Sequence, residues 1–496
     1  MASPGESHAV GDLHRQRLFA ASCFSLVATS VAFAVVGDSM GGMKGEFILS
    51  NADVGWIGGA GLWGFTLSII VLGPLCEALG MKRLMWFAFL CHLLGTVVLM
   101  LAPGGFWGLF AGALIVALGN GTVEAACNPL VATLYPDKKT QKLNQFHVWF
   151  PGGIVLGGLA AYGLGKLGLD WRFKVGMILI PTVIYGLLLI GQSFPKTERA
   201  QSGVSFGDMV KQTFMRPLFL LLFLCMALTA SMELGPNRWV PAVLQSGGIP
   251  GILVLVWISG LMAVMRHFAG PLIGRFSPLA VLFFSALVAA LGLLWLSHVD
   301  TFVMAIGAGT VFAIGVCYFW PTMLGVTSER VPKGGELALA MMGGMGMLAT
   351  GMVTSPWMGG VADKHAREEL PVQQTTAVLE QVVTEFTVLR AGAPEDLRED
   401  YTTAIEAAAG VLAAVPMSKG LPAGTMDALR AVGRAGVDSE VAKEASTLMN
   451  EADNYGGRMS FRYVAPLGVV LMIIFGGLWL ADKRKGGYKA EAIGSH

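Results

Sequence analysis

The chain has 496 residues, of which 54% are hydrophobic and only 14% are charged, and its mean hydropathy is +0.63. This composition excludes a soluble globular domain of this size and indicates a polytopic membrane protein. The net charge of +1 is spread between apolar stretches, which argues against nucleic acid as a partner. All six cysteines fall in apolar stretches without C-x-x-C spacing, so they are predicted to be buried, neither paired nor bound to metal.

Windows of about 20 apolar residues predict the membrane spans in chain order. The first, which begins at Leu18, follows a polar start and lacks a small-residue cleavage site, so we expect it to be retained. The windows lie near residues 18–40, 53–79, 83–102, 106–134, 144–168, 173–194, 217–243, 250–274, 278–297, 301–328, 334–361 and 459–481. The sequence therefore predicts an all-α membrane protein with twelve transmembrane helices.

Basic residues are distributed unevenly between the two sides of these spans. The connections on one side, together with both chain ends, hold 18 Lys and Arg residues, whereas the short loops of the other side hold four. Because basic loops stay on the cytoplasmic side, both termini are predicted to be cytoplasmic. The implied location is the cell (inner) membrane.

Two polar segments divide the chain. Residues 196–216 form the longest cytoplasmic connection and separate a six-helix bundle at 1–195 from a second at 217–496. Residues 363–458 carry 16 acidic and nine basic side chains between the last two spans. Apolar residues recur there at helical spacing, which predicts a small extracytoplasmic helical insertion that serves as a lid or stability element.

Glu124 lies within the apolar stretch from Phe106 to Tyr135, with no basic residue within ten positions. Helical spacing places Asn120 and Asn128 on the same face, and such a polar stripe is costly against lipid. An ionisable residue within a span is a functional candidate by default. Glu124 is therefore predicted to face a cavity and to exchange a proton, the alternative being a carboxylate held permanently by Asn120 or Asn128.

Further polar residues in the spans are candidates for substrate binding. Glu233 and Asn237 flank a Gly-Pro pair that is expected to break the seventh span and free carbonyls for a ligand; pairing of Glu233 with Arg238 is the alternative. Arg266, deep in the eighth span, is a candidate counter-charge for an acid or packs against loop carbonyls. The complete predicted binding set is Asn120, Asn128, Asn144, Gln145, His147, Glu233, Asn237, Tyr318 and Trp320.

Repeated motifs relate the two halves. Gly-Pro-Leu-Cys-Glu-Ala-Leu-Gly-Met-Lys-Arg at 73–83 closes the second span, and Gly-Pro-Leu-Ile-Gly-Arg at 270–275 closes the eighth. The first of these resembles the loop signature of the major facilitator superfamily. That resemblance implies two related six-helix bundles with a substrate site between them at mid-membrane.

A closer resemblance is to the fucose:proton symporter family of sugar permeases. Five places carry it: Glu-Ala-Ala-Cys-Asn-Pro at 124–129, Lys-Leu-Asn at 142–144, Glu233 with Trp239, Trp-Pro-Thr at 320–322, and Pro356 with Ala-Asp at 362–363. The resemblance implies that Asp38, at the end of the first span, and Glu124 are the proton-linked or substrate-linked pair, and we expect both to take part in proton coupling. His147 stands where that family has a glutamine.

These observations predict a monomeric secondary transporter that takes up a neutral, monosaccharide-type sugar with a proton through alternating access. No G-x-x-x-x-G-K-[ST] motif occurs, so ATP is not the energy source, and no nucleophile arrangement indicates an enzyme. No cofactor or metal is expected. The alternatives are a carrier of another small polar solute such as a nucleoside, an exporter by proton antiport, or a membrane sensor that uses the transporter fold.

Overall fold

The computed structural model describes residues 12–47, 49, 51–417, 420–436 and 438–491, and the regular structure within them is helical. Ten helices are long and apolar enough to span a membrane, a bent pair forms another span, and a shorter apolar helix completes the predicted twelve. The spans are α1 Asp12–Glu46, α2 Asn51–Leu72, α3 Met81–Leu101, α4 Phe106–Leu134, α5 Pro136–Lys166, α6 Trp171–Leu189, α7 Pro217–Ser246, α8 Gly251–His267 with Ala269–Arg275, α9 Pro278–Leu296, α10 Phe302–Arg330 and α11 Pro332–Glu369. After the insertion helices α12 Val372–Gly392, α13 Glu395–Ala414 and α14 Thr425–Arg434, the twelfth span is the second part of α15 Glu440–Arg484.

Glycine and proline set the turns between spans. Gly104 and Gly105 adopt φ of 71° and 62° between α3 and α4, a conformation that favours glycine because it has no Cβ. α9 begins with Ser277 as its N-cap, whose Oγ accepts from the backbone N of Ala280, and with Pro278 in the first turn. These local signals are in the sequence, and the predicted bounds of the spans that follow them, near 106–134 and 278–297, agree with α4 and α9 within one residue. The last two spans differ most, because α11 and α15 continue as helices beyond the apolar windows near 334–361 and 459–481.

Glycines bring α4 into close contact with its neighbours. A Cβ on Gly121 would lie 2.1 Å from the backbone O of Phe65 on α2, and one on Gly112 would lie 2.7 Å from the backbone N of Leu99 on α3. Backbones can approach this closely only where small residues face each other. The close packing fixes α4, and with it Glu124, in the middle of the first six spans.

The connection between α6 and α7 lies at one end of the bundle, called here the linker side, and the insertion lies at the opposite end, the insertion side. On the linker side the two halves touch. Thr140 at the start of α5 donates through its backbone N and Oγ1 to Glu329 Oε1 at the end of α10, at 3.2 and 2.7 Å. A Cβ on Gly73 would lie 2.0 Å from that of Ala340 on α11. The halves are therefore closed together on this side.

Residues of the linker itself join the halves. Thr197 donates to Glu77 Oε2 of the signature loop through its backbone N and Oγ1, at 3.1 and 3.0 Å. Arg199, two residues later, pairs with the buried Glu336 of α11 at 2.7 Å. The acid in the signature loop thus holds a neighbouring helix start, since Thr197 is the N-cap of the short helix Glu198–Gln201.

The insertion is helical, as predicted, and has a hydrophobic core separate from that of the spans. α12 and α13 pack on each other, and Phe386 meets Tyr401 edge to face with ring centroids 5.5 Å apart. Arg430 of α14 contacts Asp363 at 2.7 Å and Asp453 at 3.0 Å. This arginine ties the insertion to the extended ends of α11 and α15.

One expectation about the spans is wrong. The Gly235-Pro236 pair was expected to break the seventh span, but α7 runs without interruption from Pro217 to Ser246. Proline removes one backbone hydrogen bond, yet a helix clamped by neighbours on both sides tolerates that loss. The backbone carbonyls near Pro236 are therefore not freed by a helix break to bind a ligand, contrary to the prediction from the sequence.

We predict that Phe386→Ala destabilises the insertion by about 3–5 kcal/mol, because Phe386 is fully buried in its core and the change leaves a cavity. Limited proteolysis of the full-length protein should cut the insertion faster while the spans stay intact. Val388→Ala is the matched control, since Val388 is 71% exposed in the same helix. Equal cleavage rates for the two variants would contradict an independent core in the insertion.

Candidate functional site

A cavity of about 40 Å³ lies between the first six and the last six spans. It is lined by residues from both halves, and its charged or ionisable members are Glu124, His147, Glu233 and Arg266. The remaining lining residues are Phe33, Phe65, Phe150, Leu234, Trp320 and Met347. A few ionisable groups thus meet inside an otherwise apolar shell.

Glu124 occupies the first-half wall of this cavity, as the sequence predicts. Its Oε2 accepts a 2.6 Å hydrogen bond from Asn128 Nδ2, and Asn128 Oδ1 lies 3.1 Å from His147 Nε2. His147 Nε2 is also 3.9 Å from Glu124 Oε2. Since the amide donates to the carboxylate, its oxygen is free to accept from His147, so Glu124, Asn128 and His147 form one buried polar chain.

Arg266 joins the two halves at the cavity. Its Nη2 donates to Glu233 Oε1 at 2.8 Å, its Nε to the backbone O of Cys317 at 2.5 Å, and its Nη1 to the backbone O of His147 at 3.1 Å. The guanidinium therefore acts both as counter-charge and as a ligand of backbone carbonyls, the two roles foreseen for it. Glu233 pairs with Arg266 and not with Arg238.

The charges around the cavity do not balance when both acids are ionised. Among the described residues that line the cavity, Arg266 is the only Lys or Arg, whereas there are two acids, Glu124 and Glu233. Arg266 pairs directly with Glu233, whereas the polar side chains in close contact with Glu124 among the described residues are Asn128 and His147. A buried charge without a partner is costly, and one proton on this cluster removes the excess negative charge.

A second polar chain lies next to the first within the first half. His92 Nε2 is 2.9 Å from Asn120 Oδ1, and His92 Nδ1 is 2.9 Å from the Tyr185 hydroxyl. Asn120 therefore turns toward α3, and no hydrogen bond joins it to Glu124 in the described part of the chain, although helical spacing places the two on one face. Neither His92 nor Tyr185 was among the predicted site residues.

The other predicted binding residues have different positions. Trp320 lines the cavity. Asn144 donates to Thr322 Oγ1 across the halves at 3.2 Å, and its Oδ1 has no partner among the described residues. Tyr318 donates to the backbone O of Met265, and Gln145 accepts from Lys142 near the linker side. Asn237 lies on α7 with a buried Oδ1 that has no partner within the described ranges.

Asp38 is not brought to Glu124. Its carboxylate pairs with Lys174 at 2.6 Å on the insertion side of the first half, and 46% of its side chain is exposed. Asp38 and Glu124 both belong to the first six spans, but of the two only Glu124 lines the central cavity.

A second, larger cavity of about 130 Å³ opens toward the insertion side. Its walls are mostly small and apolar side chains of α1, α2 and α4, with Asn120 among them. Arg238 of α7 faces it from the other half, and the structure shows no ion pair for this arginine among the described residues. The space between the halves is thus wider on the insertion side than on the linker side.

The Major Facilitator Superfamily model matches residues 18–356, which is most of the chain. This chain belongs to the major facilitator superfamily. Together with its many apolar helices, membership identifies a multi-pass membrane transport protein, and the predicted family and fold class are confirmed.

Curated relatives match at low identity. The D-xylose transporter of Levilactobacillus brevis is 26% identical over 30% of this chain and 33% of its own length. The gentisate transporter of Corynebacterium glutamicum is 23% identical over 68% of this chain and 79% of its own. The cis,cis-muconate transport protein of Acinetobacter baylyi is 25% identical over 50% and 62%. The chain spans only about a third of the xylose relative's length.

Solved structures share the fold. The E. coli fucose:proton symporter FucP superposes with a TM-score of 0.57 at 18% identity, over 70% of this chain and 92% of its own. The proton:xylose symporter XylE gives 0.59 at 14% identity, over 70% and 89%. A bacterial homologue of the lysosomal transporter Spinster gives 0.57 at 14% identity, over 94% and 97%. At these identities the likeness establishes the fold alone.

We predict that Arg266→Met lowers the stability of the protein by about 3–5 kcal/mol, because it leaves the buried Glu233 carboxylate without its partner. The double variant Arg266→Met, Glu233→Gln should recover much of that loss, since it removes both charges. Thermal unfolding in detergent measures both effects. A double variant no more stable than Arg266→Met would argue against the ion pair as the cause.

Proposed function

We propose that this chain takes up a neutral sugar of monosaccharide size together with a proton, by alternating access. The observation that carries the proposal is the charge imbalance at the central cavity: two buried carboxylates, Glu124 and Glu233, with one guanidinium. Protonation of Glu124 neutralises the cluster and favours closure around a substrate. Loss of the proton on the opposite side restores the negative charge and favours reopening.

Polar groups at the cavity suit a sugar. Hydroxyl groups need several hydrogen-bond donors and acceptors, and the apolar face of a pyranose packs on an aromatic ring. Trp320 supplies such a ring, and Glu233 Oε2 is a buried acceptor of the cavity without a partner among the described residues. Asn144, which does not line the cavity in this structure, has a buried Oδ1 that likewise lacks a partner within the described ranges. Relatives that transport D-xylose, and plant proteins described as D-xylose-proton symporter-like, agree with this substrate class.

The size of the cavity requires movement. Its volume of about 40 Å³ corresponds to one or two water molecules and is far below the several hundred Å³ of small-molecule sites. The linker side is held by Thr140 and Glu329, and by Arg199 and Glu336. Opening therefore proceeds toward the insertion side in this state, where Arg238 already borders a wider space.

We also propose how the chain is arranged in the membrane. We place both termini in the cytoplasm and the protein in the cell (inner) membrane as a monomer. The bundles are 1–195 and 217–496, with 196–216 as linker and 363–458 as an extracytoplasmic insertion. Asp38 is proposed as a second proton-linked group that acts in another conformation, when its pairing with Lys174 is released.

We predict that Glu124→Gln abolishes uptake driven by a pH gradient but retains sugar exchange across a membrane, because glutamine keeps the shape and cannot change charge. One proton at about 2.3 kcal/mol per 100 mV can drive roughly fiftyfold accumulation of the sugar, and Glu124→Gln should lose this accumulation. Proteoliposomes with an imposed gradient measure it. Glu46→Gln is the control, since Glu46 pairs with Arg172 outside the cavity. Surviving concentrative uptake would exclude Glu124 as the coupling residue.

A second candidate substrate is a small organic acid. Arg238 is a cation without an ion-pair partner among the described residues, and it faces the cavity that leads to the site. Such a charge attracts carboxylates. The gentisate and cis,cis-muconate relatives carry acids of this kind and match longer parts of the chain than the xylose relative does.

Counterflow in proteoliposomes separates the two candidates. We expect exchange of one or more monosaccharides, at a rate that Arg238→Gln leaves unchanged because a neutral solute gains little from the charge. Gentisate and cis,cis-muconate serve as the acid probes. Exchange of an acid but not of a sugar, lost in Arg238→Gln, would replace the sugar proposal with the organic-acid one.

A further inference from the structure

An open cavity of about 350 Å³ lies on the linker side, away from the central site. Three parts of the chain each contribute a cation to it: Lys211 from the linker helix Phe206–Phe214, Arg216 at the start of α7, and Lys333 in the first turn of α11. Its volume falls in the range of small-molecule sites. Neither the transport cycle nor the family resemblance assigns this cavity a role.

The carboxylate of Glu491 already pairs with one of these cations, Arg216. Arg216 Nη2 donates to both oxygens of Glu491, at 2.6 and 2.8 Å. Lys211 and Lys333 form no ion pair within the part of the chain that the structure describes. The cavity therefore keeps an excess of about two positive charges with Glu491 in place, by the formal charges of its lining residues.

Glu491 and Tyr488 belong to the tail, a segment that follows α15 and contacts the end of α10. The Glu491 backbone N donates to the backbone O of Glu329 at 2.8 Å, and the Tyr488 hydroxyl donates to Glu329 Oε2 at 2.7 Å. The Glu491 side chain is about a third exposed, so a solvent-borne anion can reach it. Glu329 in turn accepts from Thr140 through its other oxygen, which links the tail to the contact between the halves.

We propose that this cavity binds a phosphate group, carried by a soluble phosphate ester or by a lipid headgroup, in competition with the Glu491 carboxylate. A phosphate carries more charge and more acceptor oxygens than a carboxylate, and it can contact Arg216, Lys211 and Lys333 together. The position at the membrane surface, on the side rich in basic residues, places it within reach of both sources. Binding releases the tail from Arg216.

The test uses full-length protein with a fluorophore at Lys489→Cys, because Lys489 is exposed and the six native cysteines are buried. One arm titrates inorganic phosphate into nanodiscs of phosphatidylcholine. The other compares those nanodiscs with nanodiscs that contain phosphatidic acid, without added phosphate. A saturable change in the first arm identifies soluble phosphate as the source, and a change only in the second identifies a lipid headgroup.

Variants decide whether the signal arises in this cavity. Lys211→Gln and Lys333→Gln should each weaken binding about tenfold, since a hydrogen bond to a charged group is lost. Lys82→Gln, an exposed cation of the signature loop outside the cavity, should leave binding unchanged. Glu491→Gln should strengthen phosphate binding because the competing carboxylate is removed. This change frees the tail even without phosphate, so binding to this variant is measured by the phosphate-induced rise in Tm.

The proposal is overturned if neither arm gives a saturable response, or if Lys333→Gln and Lys82→Gln bind alike. Glu491→Gln with unchanged affinity would exclude the competition. None of these outcomes depends on which solute the central site carries, because the readouts are tail displacement and Tm.

Discussion

The arginine at the centre of the molecule determines how the rest of the site is arranged. Arg266 carries a charge that the membrane interior does not tolerate alone, and it is satisfied by Glu233 and by two backbone carbonyls from different halves. Arg266 forms its ion pair with Glu233, and the close polar contacts of Glu124 among the described residues are Asn128 and His147. The contacts of Arg266 thus hold the halves together, and under the proposed mechanism Glu124 is the carboxylate that exchanges the proton.

The two ends of the molecule are built differently. On the linker side, small residues allow the halves to touch, and buried or half-buried ion pairs such as Arg199 with Glu336 secure the contact. Toward the insertion side the facing surfaces are largely apolar and enclose a wider space. The proposed alternating access requires these linker-side contacts to break when the halves open on that side.

Much of the site was accessible from the sequence because charge in an apolar span is conspicuous. Glu124 and Glu233 were recognised in this way, and the depth of Arg266 within its span indicated a counter-charge. Phe33, Phe65, Phe150 and Met347 also line the cavity, but they carry no signal against an apolar background. His92 and Tyr185 were missed since each is a single polar residue whose partner is distant in the chain.

The class of protein, the number of spans, the helical insertion and the presence of a buried acid could all be predicted from the amino-acid sequence. Those properties follow from hydrophobic length, local turn signals and the cost of charge in lipid, which act over a few neighbouring residues. The hydrogen-bond and ion-pair partners of the polar groups, in contrast, became known from the three-dimensional structure. It turned Asn120 away from Glu124 and toward His92, kept α7 continuous through Pro236, and assigned Arg266 to Glu233, because pairing depends on distances between helices that are remote in sequence.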